Sequence, residues 1–454
     1  MADELPPQTH ALPVKQREEQ GRALRERCKR GEHADWTVAK RDPIEILIEQ
    51  DKMRLPELVP LRYARMKASP FAFLRGSAKV MATDLAHTPS NGLKVQAAGD
   101  CHCLNFGGFA TPERRLSFDI NDFDETAVAP WEWDVKRLAT SFVVATRQDF
   151  DKATRLDLAE TVARAYREQM AAIATAPILE TWYRVLNIDD DKVVESSGLD
   201  PAAARKADRE LKHRPMLIDI GHSGGADPRL KDKRPDLHHP KADDWPDFLR
   251  GVEAMLEQYK QSLIPERRAL IERYRFADAA YKVVGVGSVG TLCGVVLMVS
   301  GSGETLQLQF KEADASVLEA FNAPSPYTNH GERVVRGQRL LQAASDILLG
   351  FGVGPRGKDF YVRQLRDAKV KPVLENLPAR NFRRFARTCG EVLARAHARS
   401  ADAVVLAAYL GKGTTFDEAI GTFAYAYAKQ TEADHAALQK AIKDRRLPAS
   451  DQDS

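Results

Sequence analysis

The 454-residue chain carries 67 Lys and Arg residues against 64 Asp and Glu residues, so its formal net charge is only +3. Nucleic-acid-binding proteins normally show a strong basic excess, and this balance argues against nucleic acid as the partner. Hydrophobic residues make up 43% and charged residues 29%, which excludes extended disorder and indicates a globular protein. The length predicts about two to three domains or lobes.

The cysteine content and the hydropathy of the chain indicate in which cellular compartment the protein is expected. The five cysteines are odd in number and scattered, which does not favour a disulfide framework. The beginning of the chain has no apolar stretch of signal-peptide length. The most apolar segment, residues 291–299, is far shorter than the ~20 residues that a membrane span needs. We therefore expect a cytoplasmic protein with no membrane partner. The sequence does not predict its oligomeric state.

The predicted elements change character three times along the chain. Residues 1–40 are polar and mostly charged, which predicts a flexible arm with a short helix. Helical patterns dominate residues 41–280, where two short strands frame a polar loop. Residues 281–370 are typical of a small β-rich lobe for nucleotide binding. Residues 371–454 are helical and are expected to pack on the helical lobe. The predicted fold class is α+β, with a small antiparallel sheet lobe beside a larger helical lobe.

Within the helical region, residues 205–241 form a long irregular stretch rich in basic residues and histidine. Such a stretch is typical of a solvated surface loop. Loops of this length also serve as lids over substrates, so a substrate-binding role stays open.

The most informative run is the loop at residues 99–108, between the two short predicted strands. It places Asp100, His102 and Asn105 close together. An aspartate there can accept a proton from an attacking hydroxyl, and an asparagine carbonyl can hold a metal ion. His102 either shapes the loop or contacts phosphate. We therefore predict that these three residues form the catalytic group.

A second acidic segment follows the strand predicted over residues 116–120. Asp122 and Asp124 come directly after this strand. Magnesium prefers hard oxygen ligands supplied by few protein groups. The two carboxylates and the side chain of Asn105 therefore form the predicted Mg²⁺ site.

Three other interpretations of these segments stay open. Cys101, His102 and Cys103 are possible zinc ligands, although adjacent residues alternate in direction and no second cluster with the usual spacing follows. A Cys–His hydrolase needs a nucleophile and a base that face each other, which is rare for residues so close in sequence. The acidic residues also suit a plain turn. The presence of polar groups on both sides of one strand argues against the plain turn.

Residues 285–290 read Gly-Val-Gly-Ser-Val-Gly, a G-x-G-x-x-G pattern. Glycines allow tight turns and leave backbone N–H groups free to approach phosphates. In a dinucleotide-binding fold this loop opens a helix, but the β-branched and apolar residues after it favour a strand. A glycine loop between two strands is the phosphate cover of kinases. The predicted nucleotide-binding residues of the loop are Gly285, Gly287, Ser288 and Gly290.

A kinase-like site also requires a lysine on the next strand, where it reaches the α- and β-phosphates. Lys311 occupies that place, in the alternating strand predicted over residues 305–312. Its partner carboxylate is expected from the following helix, with Glu332 as the first candidate and Glu319 as the second. The alternative is that Lys311 is an ordinary exposed strand lysine.

Parts of these motifs resemble known phosphotransferases. The D-x-H-x-x-N run that begins at Asp100 resembles the catalytic loop of aminoglycoside phosphotransferases and choline kinases, although Ala98 replaces the first histidine of their pattern. Residues 120–124 resemble the metal-binding segment of those enzymes. Asp134 resembles their later aspartate, which supports the catalytic loop.

Over most of its length the chain also resembles a bacterial family known as domain of unknown function 2252. Several specific runs carry this likeness, at residues 69–76, 99–108, 284–290, 360–365 and 394–399. The resemblance implies no particular substrate.

The order of the motifs departs from that of ordinary kinase-like enzymes, in which the glycine loop and lysine precede the catalytic loop. Here Asp100 and Asp122 come first and Lys311 follows. A circular permutation reconciles the two orders, because domain termini usually lie near one another at the surface. The alternative is that one motif set is coincidental. Permutation predicts that the side chains of Asp100 and Lys311 face one cleft.

The patterns and resemblances together predict an ATP- and Mg²⁺-dependent phosphotransferase that acts on a hydroxyl of a small molecule or protein. Two alternatives stay open. One is a pseudokinase that binds nucleotide without transfer, and the other is a nucleotidyl (AMP) transferase that uses the same cleft.

Overall fold

The architecture comes from a computed structural model, which describes residues 12–38, 40–188, 191–213, 220–221, 228–234, 236–283, 285–287, 289–365 and 368–450. Ser288 and parts of the predicted irregular stretch 205–241 lie outside these residues. The chain is 53% helical and 15% strand, with small antiparallel sheets. The prediction of a mixed helix and strand protein is confirmed at this level.

The helices are α1 Val14–Ala23, α2 Pro43–Asp51, α3 Val59–Lys67, α4 Pro70–Gly76, α5 Ala78–Leu85, α6 Trp131–Ala145, α7 Lys152–Thr175, α8 Ile178–Tyr183, α9 Asp191–Ser196, α10 Pro201–His213, α11 Trp245–Ser262, α12 Pro265–Ile271, α13 His330–Leu341, α14 Ala379–Ala398, α15 Ala403–Leu410 and α16 Thr415–Lys443. The strands are β1 Lys94–Ala97, β2 Phe106–Ala110, β3 Leu116–Ile120, β4 Ala127–Pro130, β5 Ile220–Gly221, β6 Arg229–Leu230, β7 Leu237–His238, β8 Tyr274–Lys282, β9 Cys293–Ser300, β10 Thr305–Glu312, β11 Gly350–Val353 and β12 Asp359–Gln364. Among the described helices, none is both long and apolar enough to cross a membrane.

The largest sheet has six strands in the order β11-β12-β10-β9-β8-β7, and each neighbouring pair is antiparallel. Every residue of β9 is buried, which explains its run of β-branched and apolar side chains. Helix α11 covers the sheet with Phe248, Val252 and Met255, which pack against Leu308 and Phe310 of β10 in one hydrophobic cluster. The sheet therefore has its own core, separate from that of the main helices.

The main helical core is built around α6, whose residues are almost all buried. Helices α7, α14 and α16 pack around it. Because α6 is enclosed on all sides, its polar side chains are buried as well, including Glu132, Asp134, Lys136 and Arg137. Two small hairpin-like sheets, β1–β4 and β2–β3, lie at one side of α6. They carry the predicted catalytic loop and the acidic segment.

Three details differ from the sequence-based expectation. The strand expected directly before the glycine loop is β8, which begins at Tyr274 and ends at Lys282, and its pairing with β9 runs from Tyr274 to Tyr281. Residues 106–108, expected in the loop, begin β2 and pair with β3. The described part of the predicted flexible arm is docked on α15. There Arg17 binds the carboxylate of Asp402 at 2.6 and 2.7 Å.

Candidate functional site

A cavity of about 570 Å³ brings the two motif sets together. Its size falls in the range of small-molecule sites in proteins. From the helical side it is lined by Asp100, His102, Asn105, Asp122 and Asp124, and from the sheet side by Gly285, Gly287 and Glu312. Residues of both motif sets therefore line one cavity, but Lys311 is not among its lining residues and reaches it only through its contact with Asp124. The circular permutation stays a prediction.

The carboxylate of Asp100 is held by Arg137 of α6. Arg137 Nε donates to Asp100 Oδ1 at 2.7 Å, and its Nη2 donates to the same oxygen and to the carbonyl of Leu74 at 2.8 Å. Removal from water raises the pKa of Asp100 to about 7, although Arg137 opposes the shift. Asp100 Oδ2 remains on the cavity side, 3.7 Å from His102 Nε2. An aspartate with a pKa near neutrality is suited to accept a proton.

The other two residues of the predicted catalytic group have different surroundings. Asn105 Nδ2 donates to the backbone carbonyl of Asp100 at 2.7 Å, so its Oδ1 is left as an acceptor toward the cavity. His102 is buried, and burial lowers its pKa well below the usual value, helped by the nearby cations Arg75 and Arg137. His102 is therefore neutral and not a phosphate-binding cation.

The backbone of the catalytic loop is fixed by buried acceptors. Asp134 of α6 accepts from the N–H groups of Ala98 at 2.6 Å and Gly99 at 3.0 Å, as the resemblance implies for this aspartate. His397 Nε2 contacts Asp134 at 3.2 Å, and its Nδ1 contacts the hydroxyl of Tyr166 at 2.9 Å. Such a network of satisfied buried polar groups holds the loop in one conformation.

The residues at 394–399, which the sequence marked only as part of a family likeness, stabilise the catalytic loop and the strand next to it. Besides His397, Arg395 forms a buried ion pair with Asp119 at the end of β3. Arg399 donates to the carbonyl of Leu340. Spacing alone did not assign these roles, since the carboxylates that Arg395 and His397 contact are more than 200 residues away in the chain.

The zinc and Cys–His hydrolase alternatives find no support. Cys101 and Cys103 are buried, and burial raises the pKa of the Cys103 thiol to about 12 and that of Cys101 well above its usual value. A neutral thiol is a poor nucleophile, which argues against the hydrolase. Within the described residues, no group of three or more His, Cys, Asp or Glu side chains is arranged to hold a metal ion.

The glycine loop connects β8 to β9, so the prediction of a strand–loop–strand unit is confirmed. Gly285 and Gly290 have φ angles of 71° and 96°, which L side chains rarely adopt. Gly287 rests on α4, where an added Cβ would lie 2.9 Å from the carbonyl oxygen of Arg75. Each glycine described in the loop is therefore required by backbone conformation or close approach.

The loop is held through its carbonyl groups. Arg65 donates to the carbonyl of Gly285 at 2.8 Å, Arg54 donates to that of Val289, and the N–H of Leu55 donates to that of Gly290 at 2.8 Å. In the part of the chain that the structure describes, the N–H groups of Gly285 and Gly287 donate to no protein acceptor. Free N–H groups on a glycine loop are suited to phosphate oxygens.

Lys311 lies on β10, the second strand after the glycine loop, and is paired in register with Cys293 of β9 and Tyr361 of β12. Its ammonium group forms an ion pair with Asp124, whose other oxygen accepts from the hydroxyl of Tyr361 at 2.8 Å. Burial alone would lower the pKa of Lys311, but Asp124 raises it well above the usual value. Lys311 is therefore a buried, charged lysine and not an exposed strand residue.

The prediction that a helix glutamate pairs with Lys311 is wrong. Glu332, in the first turn of α13, instead accepts from Arg336 one turn later at 3.1 and 3.2 Å. The buried side of α13 carries Arg333 and Val334, which turns Glu332 outward. The second candidate, Glu319, lies 3.5 Å from Arg333 in an ion pair.

A magnesium ion fits part of the predicted donor set. Asp122 lines the cavity, and its Oδ1 accepts the N–H of Asp124 at 3.3 Å. With the Asn105 Oδ1, it offers two hard oxygen donors, the number that Mg²⁺ takes from proteins when phosphates supply the rest. Asp124 fits less well, because both of its oxygens are engaged by Lys311 and Tyr361.

Two kinds of functional residue were missed by the sequence analysis. Arg137 was passed over although it is on the same helix as Asp134, three residues later. Three cations line the cavity from the segment before the catalytic loop: Arg54 after α2, Arg75 on α4 and Lys79 on α5. Arg75 is next to last in the Ser-Pro-Phe-Ala-Phe-Leu-Arg-Gly run at residues 69–76, and its place in that family-specific run was the available signal.

The comparisons with known proteins give one positive result. The model of a bacterial family, described as an uncharacterized protein conserved in bacteria (DUF2252), matches residues 54–441. No curated protein and no solved structure shows a significant match to the chain. The matched residues include the whole cavity wall except residues 49–53.

Proposed function

The chain belongs to this bacterial family, and from that premise and the cavity geometry we propose that it is an ATP- and Mg²⁺-dependent phosphotransferase with a circularly permuted, two-lobe kinase-like fold. The observation that carries the proposal is the contact between Lys311 and Asp124, 187 positions apart. It joins the lysine strand of one motif set to Asp124, a residue of the acidic segment that lines the cavity. Coincidental motifs would have no reason to meet.

In the proposed reaction, Asp100 accepts the proton of an acceptor hydroxyl as the hydroxyl oxygen attacks the γ-phosphorus of ATP. The bond from that phosphorus to the bridging oxygen breaks, and ADP leaves. Arg137 holds Asp100 Oδ1 and so directs Oδ2 toward the cavity. The N–H groups of Gly285 and Gly287 bind phosphate oxygens, and Lys311 offsets phosphate charge. Mg²⁺, when bound by Asp122 and Asn105, supplies further neutralisation of that charge.

The carboxylates along the cavity wall favour a divalent cation as a companion of the nucleotide. Eight carboxylate residues line it, namely Glu49, Asp100, Asp122, Asp124, Glu125, Glu312, Asp314 and Glu319, whereas the lining cations are Arg54, Arg75 and Lys79. Most of these carboxylates are paired with cations outside the lining, but Asp122 forms no ion pair among the described residues and would repel a triphosphate at close range. A protein-bound cation beside Asp122 removes this repulsion, so nucleotide and metal are expected to bind together.

Thermal unfolding with ATP tests the binding part of the proposal. Wild-type protein should be stabilised by ATP with Mg²⁺ more than by ATP with EDTA, because a ligand that binds only the folded state raises the melting temperature. Asp122→Ala should lose the metal-dependent part of this shift. Asp444→Ala, which removes an exposed carboxylate paired with Lys440, is the matched control and should behave as wild type. Absence of any shift at millimolar nucleotide contradicts the proposal.

One observation favours a second candidate, a pseudokinase that binds nucleotide without transfer. Lys311 is held by Asp124, a residue of the acidic segment, in place of a helix glutamate. Mass spectrometry of protein and bacterial metabolites after incubation with ATP and Mg²⁺ separates the outcomes. A gain of phosphate supports the phosphotransferase, a gain of AMP supports nucleotidyl transfer, and neither product with intact ATP binding supports the pseudokinase.

A further inference from the structure

Arg75 lines the cavity, and its guanidinium group has no hydrogen-bonding partner among the described residues. It lies in the last turn of α4, a helix that begins with Ser69 Oγ accepting from the N–H of Ala72 at 3.0 Å. The side chain is half-buried, and its Nε is fully enclosed with no acceptor. Among the described residues, Arg75 makes neither a hydrogen bond nor an ion pair. An enclosed N–H group without an acceptor is costly unless a ligand provides one.

The carboxylates around the cavity do not compensate Arg75, since most of them are already bound to other cations. Asp100 pairs with Arg137, and Asp124 pairs with Lys311. Glu312 lies 3.1 Å from Lys358 in an ion pair. The remaining positive charge at Arg75 therefore faces the cavity, where an anion from outside the protein can meet it.

The position of Arg75 identifies which anion this is. Its backbone carbonyl supports Gly287, so the residue touches the glycine loop. Its charge also acts on His102 in the catalytic loop. A group that contacts both Arg75 and Asp100 would lie at the junction of these two loops, which is where the terminal phosphoryl group of a bound nucleotide is transferred in kinase-like sites.

We propose that Arg75 forms a binding subsite for the terminal (γ) phosphoryl group of ATP, at the junction of the glycine loop and the catalytic loop. The planar guanidinium group presents paired N–H donors that match two phosphate oxygens, which a lysine ammonium does not. The subsite rests on the proposed function, because it needs a nucleotide in the cavity. It adds a residue that the glycine-loop and lysine motifs do not include.

The test compares ATP with ADP, since only ATP carries the γ-phosphoryl group. Affinities are measured by calorimetry with Mg²⁺ for the wild type, Arg75→Ala and Arg75→Lys. Arg75→Ala should weaken ATP binding on the order of tenfold to a hundredfold and leave ADP binding unchanged, the loss expected for a hydrogen bond to a charged group. Arg75→Lys should recover only part of the loss. Arg250→Ala, an exposed arginine of α11, is the control and should change neither affinity.

Each result decides one question. Equal loss of ATP and ADP affinity in Arg75→Ala, or no loss of either, overturns the subsite while the proposed function stands. Failure of the wild type to bind either nucleotide overturns the proposed function itself. The unliganded melting temperature of each variant shows whether α4 remains folded, and Arg75→Lys tests the subsite in a variant that keeps the charge.

Discussion

Two walls of the cavity are built in opposite ways. The first, the catalytic wall, consists of residues 97–137 and is cross-linked by buried ion pairs and by carboxylates that accept backbone N–H groups. The second, the glycine wall, is the loop at residues 285–290. It is anchored through its carbonyl groups to arginines and the backbone of the preceding helical segments.

The difference teaches where precision is needed. Under the proposed function, Asp100 must lie within hydrogen-bond distance of one proton, and its loop is supported by a network of buried hydrogen-bonded groups. A phosphate cover needs free N–H groups, which internal hydrogen bonding would consume. We therefore expect substitutions in the catalytic wall to cost transfer or stability, and substitutions in the glycine wall to cost nucleotide affinity.

The largest effect is expected for Asp100→Asn. The substitution keeps the size of the side chain but removes the proton acceptor, so transfer should fall by about 10²–10⁴-fold. ATP affinity should stay near that of the wild type. Single-turnover transfer assays and calorimetry measure the two quantities. A parallel loss of affinity would show that Asp100 acts in nucleotide binding and would blur the distinction between the walls.

Alanine at one glycine in each wall compares them directly. Gly99 has a φ angle of 88°, and an added Cβ would lie 2.0 Å from the carbonyl oxygen of Glu125. Gly99→Ala should therefore lower the free energy of unfolding by about 3 kcal/mol or more. In Gly287→Ala the added Cβ has one close neighbour, the carbonyl oxygen of Arg75 at 2.9 Å. The free energy of unfolding should therefore fall by only about 1 kcal/mol. Urea denaturation of the unliganded variants measures both.

The same pair separates stability from affinity. At a temperature where both variants are folded, Gly287→Ala should weaken ATP binding, because its methyl group meets the carbonyl oxygen of Arg75 and forces the glycine loop, with its free N–H groups, to shift. Equal destabilisation by the two substitutions would remove the proposed contrast.

Lys311→Ala tests the link between the walls. It removes a charge that offsets phosphate and also leaves Asp124 without its cation. ATP affinity should fall on the order of tenfold to a hundredfold, the size of a charge-assisted hydrogen bond. Lys440→Ala, which removes an exposed lysine, is the control. An unchanged ATP affinity in Lys311→Ala would mean that this strand does not take part in nucleotide binding.

The smallest effect is expected at the sheet that carries the glycine wall, where His239 contacts Asp278 Oδ2 at 3.0 Å and Asp232 Oδ1 at 2.6 Å. The hydrogen bond to Asp278 raises the pKa of His239 above its ordinary value of 6.5. Protonated His239 therefore stabilises the fold below pH 6.5, and this contribution is lost as the pH rises through the raised pKa.

His239→Gln should lower the free energy of unfolding by about 1 kcal/mol or less at about pH 5.5, and by less at about pH 9. Denaturation of both proteins at the two pH values measures the difference. A cost that is larger at the higher pH would contradict the assigned charge state. Catalytic-wall contacts should not respond to this substitution.

Helices and strands with a strong local sequence pattern could be predicted from the sequence. The alternation of β10 and the apolar run of β9 predicted adjacent antiparallel strands, and the structure pairs them. The 2.0-residue period of a strand and the glycines between two strands are properties of neighbouring residues, so they are readable without the fold. The D-x-H-x-x-N spacing likewise placed Asp100 and Asn105 on one loop.

Pairings across the chain could not be read in this way. The partner of Lys311 was expected from the next helix, but the orientation of α13 turns Glu332 outward and brings Asp124 to the lysine. The predicted flexible arm is docked because Asp402, far along the chain, meets Arg17. In both places many equivalent charged residues were available, and sequence spacing did not rank them.

The sequence by itself therefore determined the two chemical motif sets, the strands that flank the glycine loop and the mixed helix and strand class. Only the tertiary structure showed that Lys311 forms an ion pair with Asp124 and that Arg137 forms one with Asp100. It also showed that Arg75 lines the cavity without a hydrogen-bonding partner among the described residues. The physical reason is that secondary structure follows from short-range periodicity and backbone sterics. Charge pairing follows from burial and distance, which long-range packing sets.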